Sequence, residues 1–120
     1  VKAVAADSSR TVFTGNIRME KAARLGEAYL SDHVLLLSPQ ARADSIPGLE
    51  IEALEVKAAH AASAGQLDED QMYYLMSRGL APQSARHLIV VGFLESLFER
   101  CPFPFLPEIL DPKLESKVLA

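Results

Sequence analysis

A chain of 120 residues with 49% hydrophobic content is long enough for one domain with a real core. A formal charge of −4, with no run of Lys or Arg, excludes the electrostatic footprint of a protein that binds nucleic acid or an anionic membrane. The single cysteine, Cys101, cannot form an internal disulfide, and there is neither a signal-peptide core nor an apolar run of about 18 residues, so a soluble cytoplasmic protein is expected. The first residue is Val1 rather than Met, which raises the expectation that the sequence is a piece of something longer.

In chain order, residues 1–4 alternate apolar and polar, and Asp7-Ser8-Ser9 turns the chain. The run 11–19 is β-branched and aromatic, with Gly15-Asn16 predicted as a corner between two short strands. Residues 21–25 read as a turn. Residues 27–30 and 34–37 read as two more short strands separated by Ser31-Asp32-His33. Ile46-Pro47-Gly48 is expected to be a turn before the alternating strand 49–53, and 56–61 is the last strand-like run. A loose recurrence of about 20 residues suggests a chain that winds, as in a parallel β-helix, with Ala41, Ala43, Ala58, Ala59 and Ala61 as small corner residues; half of a small β-sandwich fits the pattern nearly as well.

Within residues 49–80 the hydrophobic period changes from about 2 to about 3.6, which places a boundary between a β part, 1–66, and a helical part, 67–120. Asp68 with Gln71 forms a capping box, and Glu69 and Asp70 add negative charge to the first turn. Met72, Leu75 and Met76 form an apolar stripe, and Gly79 is placed to end this helix in a left-handed turn. Pro82 starts a second helix whose inner face is expected to carry Ala85, Leu88, Ile89, Gly92, Phe93 and Leu97. The two should pack as an αα-hairpin. Residues 101–107 read as a proline-punctuated connector, and Asp111-Pro112 as the cap of a short final helix with Leu114, Val118 and Leu119.

Chemistry-bearing residues are sparse. His60 sits among alanines, either as an accessible metal or cluster ligand or as an ordinary corner histidine. His33 and His87 have no ligand spacing to it, so a zinc site is not supported. Cys101 reads as structural. The serines lack a nucleophile-elbow context, and no glycine-rich phosphate loop is present. Glu50, Glu52 and Glu55 read as the solvated face of a strand. Tyr73 and Tyr74, beside Met72 and Met76, form either a partner-binding surface or part of a core.

Five strings, in order, carry a family resemblance: Leu35-Leu36-Leu37-Ser38, Ile46-Pro47-Gly48-Leu49-Glu50-Ile51, Val56-Lys57-Ala58-Ala59-His60, Gly65-Gln66-Leu67-Asp68-Glu69 and Tyr74-Leu75-Met76-Ser77-Arg78-Gly79-Leu80. Together they resemble the C-terminal part of the SufB/SufD family, the iron–sulfur cluster assembly scaffolds of the SUF system. The resemblance implies the last rungs of a right-handed parallel β-helix followed by a C-terminal α-helical domain. It implies a non-enzymatic subunit that pairs with a SufB-like subunit through the β-helix ends and binds a SufC-like ATPase through its helices.

Carried over residue by residue, His60 matches the family's VK-x-x-H histidine, a candidate cluster ligand, metal ligand or interface residue. Ala61 after it, where SufB-type members place an acid, makes the chain similar to SufD. Ala58 and Ala59 stand where SufD-type members carry Cys and Ser, which speaks against thiol ligation from this segment. Tyr73, Tyr74, Ser77, Arg78, Gly79 and Arg86 match the region that meets SufC, while Arg78 alternatively caps helix carbonyls. A transient iron–sulfur cluster at the SufB/SufD interface is implied, with none expected in the isolated chain. Two other classes compete: a metal-dependent enzyme using His60 and neighbouring carboxylates, and a β-helical interaction module unrelated to clusters. A truncated β-helix end exposes unpaired backbone groups, so self-association through residues 1–19 is expected.

Overall fold

The structure, a computed structural model, describes residues 1–98 together with Phe103, Phe105, Glu108, Ile109, Pro112 and Lys113. Cys101 and most of the proline-punctuated connector and final helix expected from the sequence lie outside the described residues. Two units, Val1–Gln66 and Leu67–Ala120, each hold together by their own contacts.

The first unit contains five strands, β1 (Lys2–Ala5), β2 (Arg10–Met19), β3 (Glu27–Leu36), β4 (Arg42–Ile51) and β5 (Lys57–Gln66). They form two sheets, ordered β1-β3-β5 and β2-β4, and every pairing is parallel. A parallel neighbour in the same sheet requires a long crossover. Here each crossover is a strand of the other sheet, which is why short turns suffice between consecutive strands. Parallel pairing throughout excludes an up-and-down sandwich. Paired residues are offset by 31 (Lys2 to His33), 32 (Arg10 to Arg42) and 30 (Glu27 to Lys57), so the repeat is half as long again as the expected 20.

Three expected breaks are continuous strand. Gly15-Asn16 lies inside β2, Ser31-Asp32-His33 inside β3, and Ile46-Pro47-Gly48 inside β4, where they pair with Thr14, Gly15 and Asn16. Each pairs with a strand about one repeat away, and that non-local ladder overrides the local turn preference of Gly, Asn and Pro. Pro47 is tolerated because β4 is an edge strand of its sheet, where a missing N–H leaves no ladder partner stranded.

Turns fall where Asp7-Ser8-Ser9 and residues 21–25 predict them. Two recur in register: Leu25 (φ 60°) and Glu55 (φ 57°) both adopt the left-handed conformation just before β3 and β5. Exposed ion pairs tie successive turns of the chain together, Arg10 Nε to Asp44 Oδ2 (2.8 Å), Arg24 to Glu55 (3.2 Å) and Lys57 to Glu27 (2.6 Å). At such exposure each contributes at most about 1 kcal/mol. The interior is thin and built from small side chains: Ala5, Val34 and Ala41 are buried, with Ala3, Leu36 and Ala43 packed against them.

In the second unit, α1 (Glu69–Ser77) and α2 (Pro82–Glu95) pack on each other as an αα-hairpin. The Asp68 carboxylate accepts from the backbone N–H of Asp70 and Gln71, Gly79 takes φ 95°, and Pro82 opens α2. Along α2 Ala85 and Val90 are buried and Ile89 and Phe93 half-buried, while Leu88 and Gly92, and Leu97 beyond the helix end, are exposed. The inner stripe is therefore turned by about one residue from the expected one. Val90, flanked by apolar Ile89 and Val91, is hidden from a pure periodicity count because the whole segment is hydrophobic.

Candidate functional site

His60 lies in β5, the last strand of its sheet and an open edge. In a parallel ladder, residues side by side share a face, and His60 sits beside Leu30. Leu30 points inward, because a Cβ on Gly15 of the other sheet would come within 3.0 Å of its Cδ2. His60 therefore presents its ring on the inner face, and it is exposed because the β unit ends at β5. It has no hydrogen-bond or ion-pair partner among the described residues. Alanines flank it on that face, Ala58 and Ala62, so nothing bulky restricts the imidazole.

His33 is on the opposite face of the same sheet, where its Nδ1 meets Ser63 Oγ at 2.7 Å. The two histidines thus do not converge. Among the described residues no group of three or more His, Cys, Asp or Glu side chains is arranged to hold a metal ion. Glu50, Glu52 and Glu55 are each engaged elsewhere, by Asn16 (2.9 Å), Arg18 (3.6 Å) and Arg24 (3.2 Å). Only Glu50 lies on a strand, β4; Glu52 and Glu55 lie in the turn between β4 and β5 rather than on the strand face expected of them, and none of the three belongs to a metal-holding group with His60.

One residue that sequence reasoning passed over is Asp32. It is 2% exposed on the inner face of β3, and its Oδ1 has no hydrogen-bond partner. The signal was present in the alternation Leu30, Asp32, Val34, Leu36, but the polar triplet Ser31-Asp32-His33 reads locally as a break. A groove of about 550 Å³ opens at the start of β3 and β5, lined by Tyr29, Ala59 and the Glu27–Lys57 pair among others.

The helical candidates lie on α1, at its C-terminal end and on α2. Tyr73 is 76% and Tyr74 55% exposed on α1. The Arg78 guanidinium lies 5.2 Å from the Tyr74 ring centroid, a cation–π distance. The helix-end carbonyls of Tyr74 and Leu75 accept from the Arg78 backbone N–H and that of Met76 from the Gly79 N–H, so the Arg78 side chain is left to the tyrosine. Ser77 Oγ donates to the Tyr74 carbonyl at 2.7 Å, and Gly79 supplies the left-handed turn. Arg86 is exposed on α2 and pairs with no carboxylate among the described residues. Beside Tyr74, an apolar hollow of about 390 Å³ is lined by Asp70, Gln71, Leu75 and Ile89. No helix among the described residues is long and apolar enough to cross a membrane.

Residues 1–93 match the family model described as "SUF system FeS cluster assembly, SufBD core domain", and the chain belongs to that family. Within it the chain is SufD-like. It is 38% identical over 112 residues to the iron-sulfur cluster assembly protein SufD of Bacillus subtilis (93% of this chain, 26% of the relative). It is 34% identical over 119 residues to SufD of Escherichia coli (99% and 26%), and 38% identical over 108 residues to a SufBD family protein of Pyrococcus horikoshii (90% and 24%). The chain spans about a quarter of the length of these curated relatives.

Proposed function

We propose that this chain is the end portion of a SufD-like, non-enzymatic scaffold in iron–sulfur cluster assembly. Its β unit winds as a right-handed parallel β-helix and meets a SufB-like subunit at the β5 end. Its helix pair seats a SufC-like ATPase. The observation that carries this reading is the placement of His60 on the inner face of an open edge strand, with an exposed Tyr–Arg ridge on the helix pair that follows. An edge strand offers unpaired N–H and C=O groups to a partner strand. A rigid helix ridge with aromatic anchors suits a groove on a folded partner.

In this reading the cluster is cargo. His60 supplies one imidazole, and the remaining ligands come from the SufB-like partner, since no further His or Cys of the described β unit shares its face. The conformational work comes from ATP turnover on the SufC-like subunit.

The test is calorimetric titration of the chain with a purified cognate SufC ATPase, using wild type, Tyr74→Ala and His60→Ala. Micromolar or tighter binding that is lost in Tyr74→Ala and kept in His60→Ala supports the assignment of helices to the ATPase and His60 to the SufB side. Absence of binding by the well-folded wild type refutes the ATPase assignment for this portion of the chain.

A further inference from the structure

We propose that the exposed face of α1 is a polarised strip for one partner segment. An apolar side chain with a cationic neighbour enters the hollow beside Asp70, and a carboxylate of the same partner meets Arg78 at the other end. This rests on the reading given above, in which the helix pair seats an ATPase, and it fixes which end of that contact is which.

Three observations carry it. First, the hollow of about 390 Å³ is lined by Gln71, Tyr74, Leu75 and Ile89, with Asp70 as its one charged residue among the described lining residues. Its volume is at the lower end of the range for ligand pockets, room for a large side chain and not for a helix or a strand. Anchors of that kind in apolar pockets are where interface energy concentrates. Second, Tyr74 is shared between the hollow and the Arg78 guanidinium, which lies 5.2 Å from its ring centroid, so Asp70, the hollow, Tyr74 and Arg78 are continuous. Along a helix axis the span from position 70 to position 78 is about 12 Å. Third, the two ends carry opposite charges, and among the described residues Asp70 pairs with no cation and Arg78 with no carboxylate. The carboxylate that caps α1 is that of Asp68, which leaves Asp70 to a partner.

Charge complementarity therefore names the occupant: a segment of a folded protein with a cation beside an apolar anchor and a carboxylate about two helical turns away. A second copy of α1 laid antiparallel would also pair the two ends. A helix of 9 residues is too short a strip, however, to bury the roughly 1,200 Å² that a stable dimer needs, whereas a larger partner extends the contact onto α2.

The experiment is calorimetric titration of the full chain with a purified cognate SufC ATPase, beside sedimentation of the chain alone. The variants are Tyr74→Ala, Gln71→Trp, which fills the hollow from its rim, and the charge swap of Asp70→Lys with Arg78→Glu, which reverses the strip and leaves the net charge unchanged. We expect binding to weaken about tenfold or more in Gln71→Trp and in the swap. Should the swap unfold the chain, Asp70→Asn and Arg78→Gln read the two ends singly, each by weaker binding with a shallower dependence on salt. Wild-type affinity in Gln71→Trp overturns the hollow as the anchor site. Wild-type affinity in the swap, or in both neutral variants at low salt, overturns the polarity of the strip. In either case loss of binding in Tyr74→Ala shows that the helix pair still seats the ATPase, so this proposal alone falls. No binding by the well-folded wild type overturns both. Self-association that Gln71→Trp abolishes, with affinity for the ATPase kept, gives the hollow to a second copy and overturns the proposal.

Discussion

The interior of the β unit makes a sharp demand at Gly15. A Cβ placed there would lie 2.7 Å from Phe13 Cζ, 2.8 Å from Phe13 Cε1 and 3.0 Å from Leu30 Cδ2. All three atoms are ends of side chains on the inner face, so Gly15→Ala forces the ring and a methyl group to shift at once. Overpacking of this kind costs about 1–3 kcal/mol. Against it stands the loss of unfolded-state freedom on replacing Gly by Ala, a gain of about 0.4–1 kcal/mol. The net expectation is a destabilisation of about 0–2.6 kcal/mol.

Gly65, in β5, has nothing within 4 Å of the position its added methyl group would take, so Gly65→Ala should instead stabilise by about 0.4–1 kcal/mol. The same substitution at two strand glycines thus has opposite signs. Urea unfolding at constant slope reads both, with a 1 kcal/mol change moving the midpoint by roughly 0.3–1 M. Phe13→Leu in the Gly15→Ala background should recover part of the loss, a coupling that a double-mutant cycle measures. A Gly15→Ala midpoint above wild type, or a cycle without coupling, refutes the packing argument and restores the corner that the local sequence suggests.

Other consequences are more local. Asp68→Ala removes the acceptor for the Asp70 N–H (2.9 Å) and the Gln71 N–H (3.4 Å) and should cost about 1 kcal/mol, seen as faster amide exchange in the first turn of α1; unchanged exchange there would contradict the cap. Leu25 is exposed at φ 60°, so Leu25→Gly relieves about 1–2 kcal/mol of left-handed strain against about 0.5–1 kcal/mol of added chain entropy, and a lowered unfolding midpoint would refute this balance. Arg78→Ala should cost about 0.5–1 kcal/mol through loss of the cation–π contact with Tyr74, checked by thermal unfolding beside Tyr74→Ala; additive losses in the double variant would show that the two side chains act separately. The open edges of β1 and β2 should drive concentration-dependent self-association through residues 1–19, and a strictly monomeric sedimentation profile at high concentration would exclude it.

What the sequence determined by itself was the local chemistry and the lineage. The Asp68 cap, the Gly79 stop and the Pro82 start are set by hydrogen bonds and dihedral limits within a few residues, and each stands where its residue type requires. The turns at Asp7 and around Leu25 are legible for the same reason. The ordered strings ending at His60 and Leu80 point to the SufB/SufD family on their own, and the match over residues 1–93 agrees with them. The tertiary structure decided the rest. Whether Gly15, Asp32 and Pro47 interrupt a strand depends on ladder partners 30–32 residues away, and local preference carries no information about them. Likewise, His60 faces inward because it lies beside Leu30, and Asp32 is buried because Val34 and Leu30 flank it on the core side of β3. A period of two divides residues between two faces but does not say which face meets the core; only the second sheet, packed across from the first, settles that.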